Sequence, residues 1–127
     1  MVSEVHRDFG ALDILCNNVG IQYVAPVHEF PDDKWDAMIA ITLSSAFHAT
    51  KAALPGMLDR QWGRIINTGS MHALVASPYK SAYNAAKHGI AGGLPCARTP
   101  DNLADIGCQP KANAEPVWAC GNMCFAW

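Results

Sequence analysis

Two short runs, Arg64-Ile65-Ile66-Asn67-Thr68-Gly69-Ser70 and Tyr83-Asn84-Ala85-Ala86-Lys87, decide how this chain is read. Arg64–Thr68 is β-branched and apolar, the composition of a buried strand. Gly69-Ser70-Met71-His72 leaves its carboxyl end, Pro78 closes the loop, and the pattern predicts a helix from Ser77 or Tyr79 to about Gly92. Tyr83 and Lys87 stand four apart on that helix and share one face. A phenol ordinarily titrates at about 10, and a neighbouring ammonium favours its ionised form. Tyr83 can then exchange a proton with an alcohol or carbonyl oxygen, and the Ser70 hydroxyl, at the strand end, can orient the same oxygen. Such a trio suits the interconversion of an alcohol and a ketone. The hydride must come from a nicotinamide cofactor, because side chains supply none.

The same grammar extends toward the amino terminus. Val2–Phe9 reads as the last turns of a helix that Gly10 stops. Leu12-Asp13-Ile14-Leu15-Cys16 reads as a buried strand, with Cys16 an inert core thiol. Asn17-Asn18-Val19-Gly20 is its turn, and Ile21–Pro31 is a loop. Asp32 or Asp33 is placed to cap the next helix. There Ile39, Leu43, Phe47, Thr50, Leu54 and Met57 mark one face between Trp35 and Leu58, with Pro55 expected to bend or end it. Trp35 and Trp62 are expected to pack at helix ends. Helix, strand, helix, strand, helix in sequence predicts an α/β fold, part of a doubly wound parallel sheet. Ligands bind such sheets beyond the carboxyl ends of the strands, which selects the loops Asn17–Gln22 and Gly69–Tyr79.

Periodicity fades near residue 92. Four prolines (Pro95, Pro100, Pro110 and Pro116) and four of the five cysteines (Cys96, Cys108, Cys120 and Cys124) follow it. The expected organisation is an ordered unit at 1–92 and an irregular, disordered or frameshifted tail at 93–127. A shift of reading frame near codon 92 would produce this change in composition. Cys120-x3-Cys124 has no second ligand pair at zinc spacing, so no metal site is expected. In 127 residues, nine Lys and Arg stand against 11 Asp and Glu, for a net charge of −2 without a basic run. That excludes the usual footprint of a nucleic-acid binder. The longest uncharged stretches, Ile14–His28 and Ile65–Tyr79, are too short to span a bilayer. No membrane partner is expected, the first residues lack an apolar signal core, and the expected location is the cytoplasm.

Asn17-Asn18-Val19-Gly20, Ser70 and Tyr83-Asn84-Ala85-Ala86-Lys87 together resemble the signature of the short-chain dehydrogenase/reductases. Within that family, Gly20-Ile21-Gln22, Val24-Ala25-Pro26-Val27, Phe30-Pro31, Lys34-Trp35-Asp36 and Leu74–Tyr83 are similar to bacterial D-3-hydroxybutyrate dehydrogenases. The resemblance covers about residues 1–92 and implies a Rossmann-type fold with NAD as cofactor. It implies that Tyr83 is the acid/base, that Lys87 also binds nicotinamide ribose, and that Ser70 holds the substrate oxygen. Asn18 and Gly20 would line the cofactor cleft. Gln22, His72 and Lys80 match positions that bind a small carboxylate substrate, a role suited to a cation and two donors. The family assembles commonly as homotetramers, which this piece is not expected to retain.

Three departures limit the expectation. Nothing in Met1–Asn17 resembles the family's Gly-rich pyrophosphate turn. The family's catalytic Asn corresponds to Thr42, which cannot supply both an amide donor and a carbonyl acceptor. Beyond Gly92 the run Gly93-Leu94-Pro95-Cys96 does not continue the family pattern. The expectation is therefore a dehydrogenase lineage for D-3-hydroxybutyrate and acetoacetate, with this chain inactive alone. The alternatives are a reductase of 3-oxoacyl thioesters and a non-catalytic fragment.

Overall fold

A computed structural model describes residues 1–93 and 123–126. Val2–Phe9 forms helix α1, and Gly10 ends it as the sequence predicts. Its φ of 79° is left-handed backbone that glycine adopts without strain, and its N–H reaches the His6 carbonyl at 3.0 Å. Strand β1 is Ile14–Asn17. Helix α2, Asp32–Met38, starts after Pro31 with no side-chain cap. Asp32 and Asp33 lie inside its first turn instead, where their charges oppose the positive end of the helix dipole.

The helical run continues through a π turn, Ile39–Ser44, into helix α3, Ser45–Asp59. Pro55 does not end it. The helix runs on to Asp59 without the one backbone bond that proline cannot donate. The π turn shifts the phase of the buried face. Met38, Thr42, Ala46, Thr50, Ala53 and Met57 are buried, whereas Phe47 is half-exposed. Ile39 and Leu43 are thus only half-buried and Phe47 is exposed, while Met38, Thr42 and Ala46 take the interior positions. By length and composition alone the 28-residue run, with a hydropathy of 1.2, is apolar enough to cross a membrane. In this fold it packs on β1, α1 and helix α4.

Strand β2, Arg64–Ser70, pairs in parallel with β1, Ile14 opposite Arg64 and Asn17 opposite Asn67. Strand β3, Met123–Ala126, pairs in parallel along the other edge of β2, Asn67 opposite Met123 and Ser70 opposite Ala126. The order β1-β2-β3 makes β2 central. Helix α4, Ser81–Gly93, completes the alternation of a partial Rossmann-type α/β fold. A strand within the tail was not legible in its sequence. Its backbone completes a ladder on β2, a tertiary reason that local periodicity does not carry. Residues 94–122, with Cys96, Cys108 and Cys120, and Trp127 lie outside the described residues.

Val2, Leu15, Ala53, Met57 and Ile65 form the core that joins α1, α3, β1 and β2. Leu15 is buried but its neighbours Ile14 and Cys16 are exposed, Ile14 by 55%. One face of β1 is covered and the other is open, so Cys16 is a solvent-facing thiol and not the core residue expected. Trp35 and Trp62 stay partly exposed. Trp35 meets Phe30 edge-on at 6.4 Å, and the Arg64 guanidinium lies 5.8 Å from the Trp62 ring.

Gly63, just before β2, sits tightly against the core. A Cβ there would lie 2.6 Å from Met57 Sδ and 2.7 Å from Met57 Cβ, and Met57 is fully buried. Gly63→Ala is expected to destabilise the fold by about 1–3 kcal/mol through overpacking. A urea midpoint equal to that of the unchanged chain would contradict this.

Candidate active site

The parallel register brings the carboxyl ends of β1 and β2 side by side. Asn17 ties them together, its Nδ2 donating to Asn67 Oδ1 at 2.9 Å and to Thr50 Oγ1 of α3 at 3.3 Å. Beyond this pin, an open cleft of about 210 Å³ is lined by Asn18, Gly20, Ile21 and Gln22 of the first loop, with Thr68 and Gly69 of β2 and Tyr83 and Lys87 of α4. Five residues singled out in the sequence (Asn18, Gly20, Gln22, Tyr83 and Lys87) therefore share one cavity.

Lys87 is only 4% exposed, and its Nζ donates to the Thr68 carbonyl at 2.8 Å. No carboxylate pairs with it among the described residues. Burial therefore lowers its pKa below the ordinary lysine range. One hydrogen bond leaves two of its N–H groups unspent. The ammonium lies 5.7 Å from the centre of the half-buried Tyr83 ring.

Ser70, the last residue of β2, is buried and follows Gly69 of the cleft wall without lining the cleft itself. Its Oγ accepts from the His72 backbone N–H at 3.2 Å and lies 3.2 Å from His72 Nδ1. The other ring nitrogen, Nε2, is 3.5 Å from Lys80 Nζ. The His72 ring also meets Tyr83 edge-on, 5.5 Å between centres. Ser70, His72, Lys80 and Tyr83 thus form one connected group. Gln22 lies in the cleft without a hydrogen bond to His72 or Lys80.

Burial, and secondarily the Lys80 charge, push the His72 pKa below its ordinary 6.5. A histidine lowered in the folded state binds fewer protons than in the unfolded chain, so stability falls as pH drops through 6.5 toward the folded value. The folded chain is expected to lose stability relative to His72→Asn over that window and not above it. Denaturation midpoints of the two proteins across the window check this.

Thr42 is buried in the π turn, 1% exposed, and its Oγ1 has no hydrogen-bond partner. It backs onto Gly20, where a Cβ would lie 3.7 Å from Oγ1. Thr42 makes no hydrogen bond with Tyr83 or Lys87, so it does not stand in for an amide side chain there.

Three residues matter that the sequence reading passed over. Asn17 pins the strand ends. Thr68 anchors Lys87 through its backbone, which no side-chain motif reveals. Asn84 locks the loop before α4, its Nδ2 donating to Ser77 O at 2.8 Å and its Oδ1 accepting from Ser77 N at 3.4 Å. The place of Asn84 beside Tyr83 was the available signal. The same loop holds Tyr79 in left-handed backbone, φ 63°, and its carbonyl accepts from Ala25 N at 3.0 Å. That bond joins the loop carrying Lys80 to the loop carrying Gln22.

A family model described as short chain dehydrogenase matches residues 1–99. The chain is 61% identical over 92 residues to a D-beta-hydroxybutyrate dehydrogenase of Cupriavidus necator, covering 72% of this chain and 36% of that protein. A protein of the same name from Rhizobium meliloti is 54% identical over 92 residues, with the same coverage. A 3-oxoacyl-[acyl-carrier-protein] reductase of Haemophilus influenzae is 36% identical over 92 residues, 72% of this chain and 38% of that protein. The chain spans little more than a third of the length of these curated relatives.

Proposed function

Because the chain belongs to the short-chain dehydrogenase family, we propose that its site is that of an NAD-dependent oxidoreductase interconverting D-3-hydroxybutyrate and acetoacetate. The observation that carries the reading is the continuous group Ser70–His72–Lys80, which begins beside Tyr83 and ends on a cation. A small acid that places its oxygen at Ser70 and Tyr83 presents its carboxylate to Lys80, beside the His72 ring. Gln22 enters from the facing loop as a further donor to that carboxylate.

The cleft also fits the nicotinamide-ribose end of a nucleotide. Lys87 holds two unspent N–H groups in a nearly dry site, suited to ribose hydroxyls, while Asn18 and Gly20 supply a polar, open wall. When bound, the nicotinamide supplies the hydride acceptor of the reaction. Tyr83 takes the substrate hydroxyl proton as the carbon–oxygen bond gains double-bond character. Ser70 holds the oxygen in line. Lys87, in a site of low dielectric, stabilises the negative charge that the Tyr83 oxygen gives up as it takes that proton.

The test titrates the chain separately with acetoacetate, an acetoacetyl thioester and nicotinamide mononucleotide, and reads backbone amide shifts. The reading expects acetoacetate to move Ser70, His72 and Lys80, and the nucleotide to move Asn18, Gly20 and Lys87. Shifts from the thioester but not from acetoacetate would replace the carboxylate reading with that of a thioester reductase. No shift from any of the three would leave the lineage without a working site.

A further inference from the structure

We infer that Lys80 is a positioning residue: through His72 it fixes the imidazole tautomer and so leaves the Ser70 hydroxyl free to donate to a substrate oxygen. The inference follows from counting donors along Lys80–His72–Ser70. An ammonium carries three N–H donors and no acceptor. At 3.5 Å from Lys80 Nζ, His72 Nε2 must therefore be the acceptor. A neutral imidazole has one acceptor and one donor nitrogen, which places the proton on Nδ1. Nδ1 then donates to Ser70 Oγ at 3.2 Å. Ser70 Oγ already accepts from the His72 backbone N–H at 3.2 Å. With both acceptor directions filled by one residue, the hydroxyl proton of Ser70 points away from His72 and is left for a substrate oxygen.

The doubly protonated alternative would place a second cation beside Lys80 in a partly buried position. Both burial and the Lys80 charge oppose it. The groups that face the ring are Ser70 of β2, Lys80 of the loop and Tyr83 of α4. No carboxylate forms an ion pair with His72 or Lys80 among the described residues. Without Lys80, the proton of His72 is free to sit on Nε2 and the Ser70 hydroxyl turns inward to donate to Nδ1. A ketone oxygen at the site would then lose its serine donor, although Ser70 itself had not moved.

The measurement is made on the ligand-free full chain, so it does not depend on which substrate the site takes. Long-range proton–nitrogen correlation spectra of the histidine rings at neutral pH distinguish the two tautomers directly, with His72→Gln assigning the signal. His72 is expected in the Nδ1–H form, Lys80→Met in the Nε2–H form, and Lys80→Arg, which keeps a donor-only cation, in the Nδ1–H form again. An Nε2–H or a doubly protonated ring in the unchanged chain would overturn the inference, as would a Lys80→Met ring still in the Nδ1–H form. Should Lys80→Met fail to fold, the unchanged chain and Lys80→Arg still decide between the tautomers. A merely structural role for Lys80 would alter amide shifts without exchanging the ring proton between nitrogens.

Discussion

Replacing Tyr83 by Phe is expected to lower kcat for D-3-hydroxybutyrate oxidation about 10³-fold, with KM nearly unchanged, in the complete enzyme that carries this site. The substitution removes one oxygen and leaves the ring, so the edge-on contact with His72 and the packing of α4 survive. In the proposed reaction the lost oxygen takes the substrate proton, an interaction that matters at the transition state and little in the ground state. On the inferred tautomer of His72, Ser70 does not substitute, because its hydroxyl is the donor to the substrate oxygen. A kcat within tenfold of the unchanged enzyme would remove Tyr83 from the proton step. A rise in KM with kcat intact would make it a binding group only. Initial rates of nicotinamide reduction over a range of substrate concentrations separate these results.

Lys87→Met is expected to abolish nucleotide-dependent turnover while leaving the fold as stable as before or more so. Lys87 is nearly fully buried and, among the described residues, bonds only the Thr68 carbonyl and has no anionic partner. Its charge is desolvated with little return, and an apolar side chain of similar length fills the same space without that penalty. The sign of the pH dependence follows. Burial lowers the pKa of the folded-state ammonium below the ordinary 10.5, so in alkaline solution the folded chain sheds a proton that the unfolded chain keeps. The stability of the unchanged chain should therefore rise toward that of Lys87→Met as pH rises through the lowered value toward 10.5. Paired denaturation curves at neutral and alkaline pH measure the gap. A Lys87→Met protein clearly less stable at neutral pH would show that the Thr68 bond outweighs the desolvated charge, and that Lys87 supports the fold more than the chemistry.

The elements nearest the chemistry were the most legible in the sequence. Gly10 announced the end of α1, the β-branched run announced β2, and the four-residue spacing of Tyr83 and Lys87 placed both in one cleft. These features are local: a left-handed glycine, a strand composition, a helical period. What escaped depended on contacts between distant residues. The π turn at 39–44 rotates the buried face of the long helix, and one extra residue in a turn leaves no mark in an apolar pattern. Asp32 and Asp33 had the chemistry of caps, but the helix begins one residue earlier than a cap requires, directly after Pro31. Cys16 looked buried because an apolar strand in a parallel sheet is ordinarily covered on both faces, and covering is decided by layers that a strand cannot encode. Lys87 was found by motif, yet its anchor is a backbone carbonyl that any residue at position 68 would offer.

The open face of β1 turns Cys16 into a gauge. A thiol on an uncovered sheet face reacts with an alkylating reagent at a rate set by access. Anything that settles there, whether more chain or a second molecule, slows that reaction. Peptide-resolved alkylation of Cys16 therefore reads the state of the sheet's bare side, while the His72 ring reads the state of the site. The two signals divide this small protein into halves that can be followed independently in one sample.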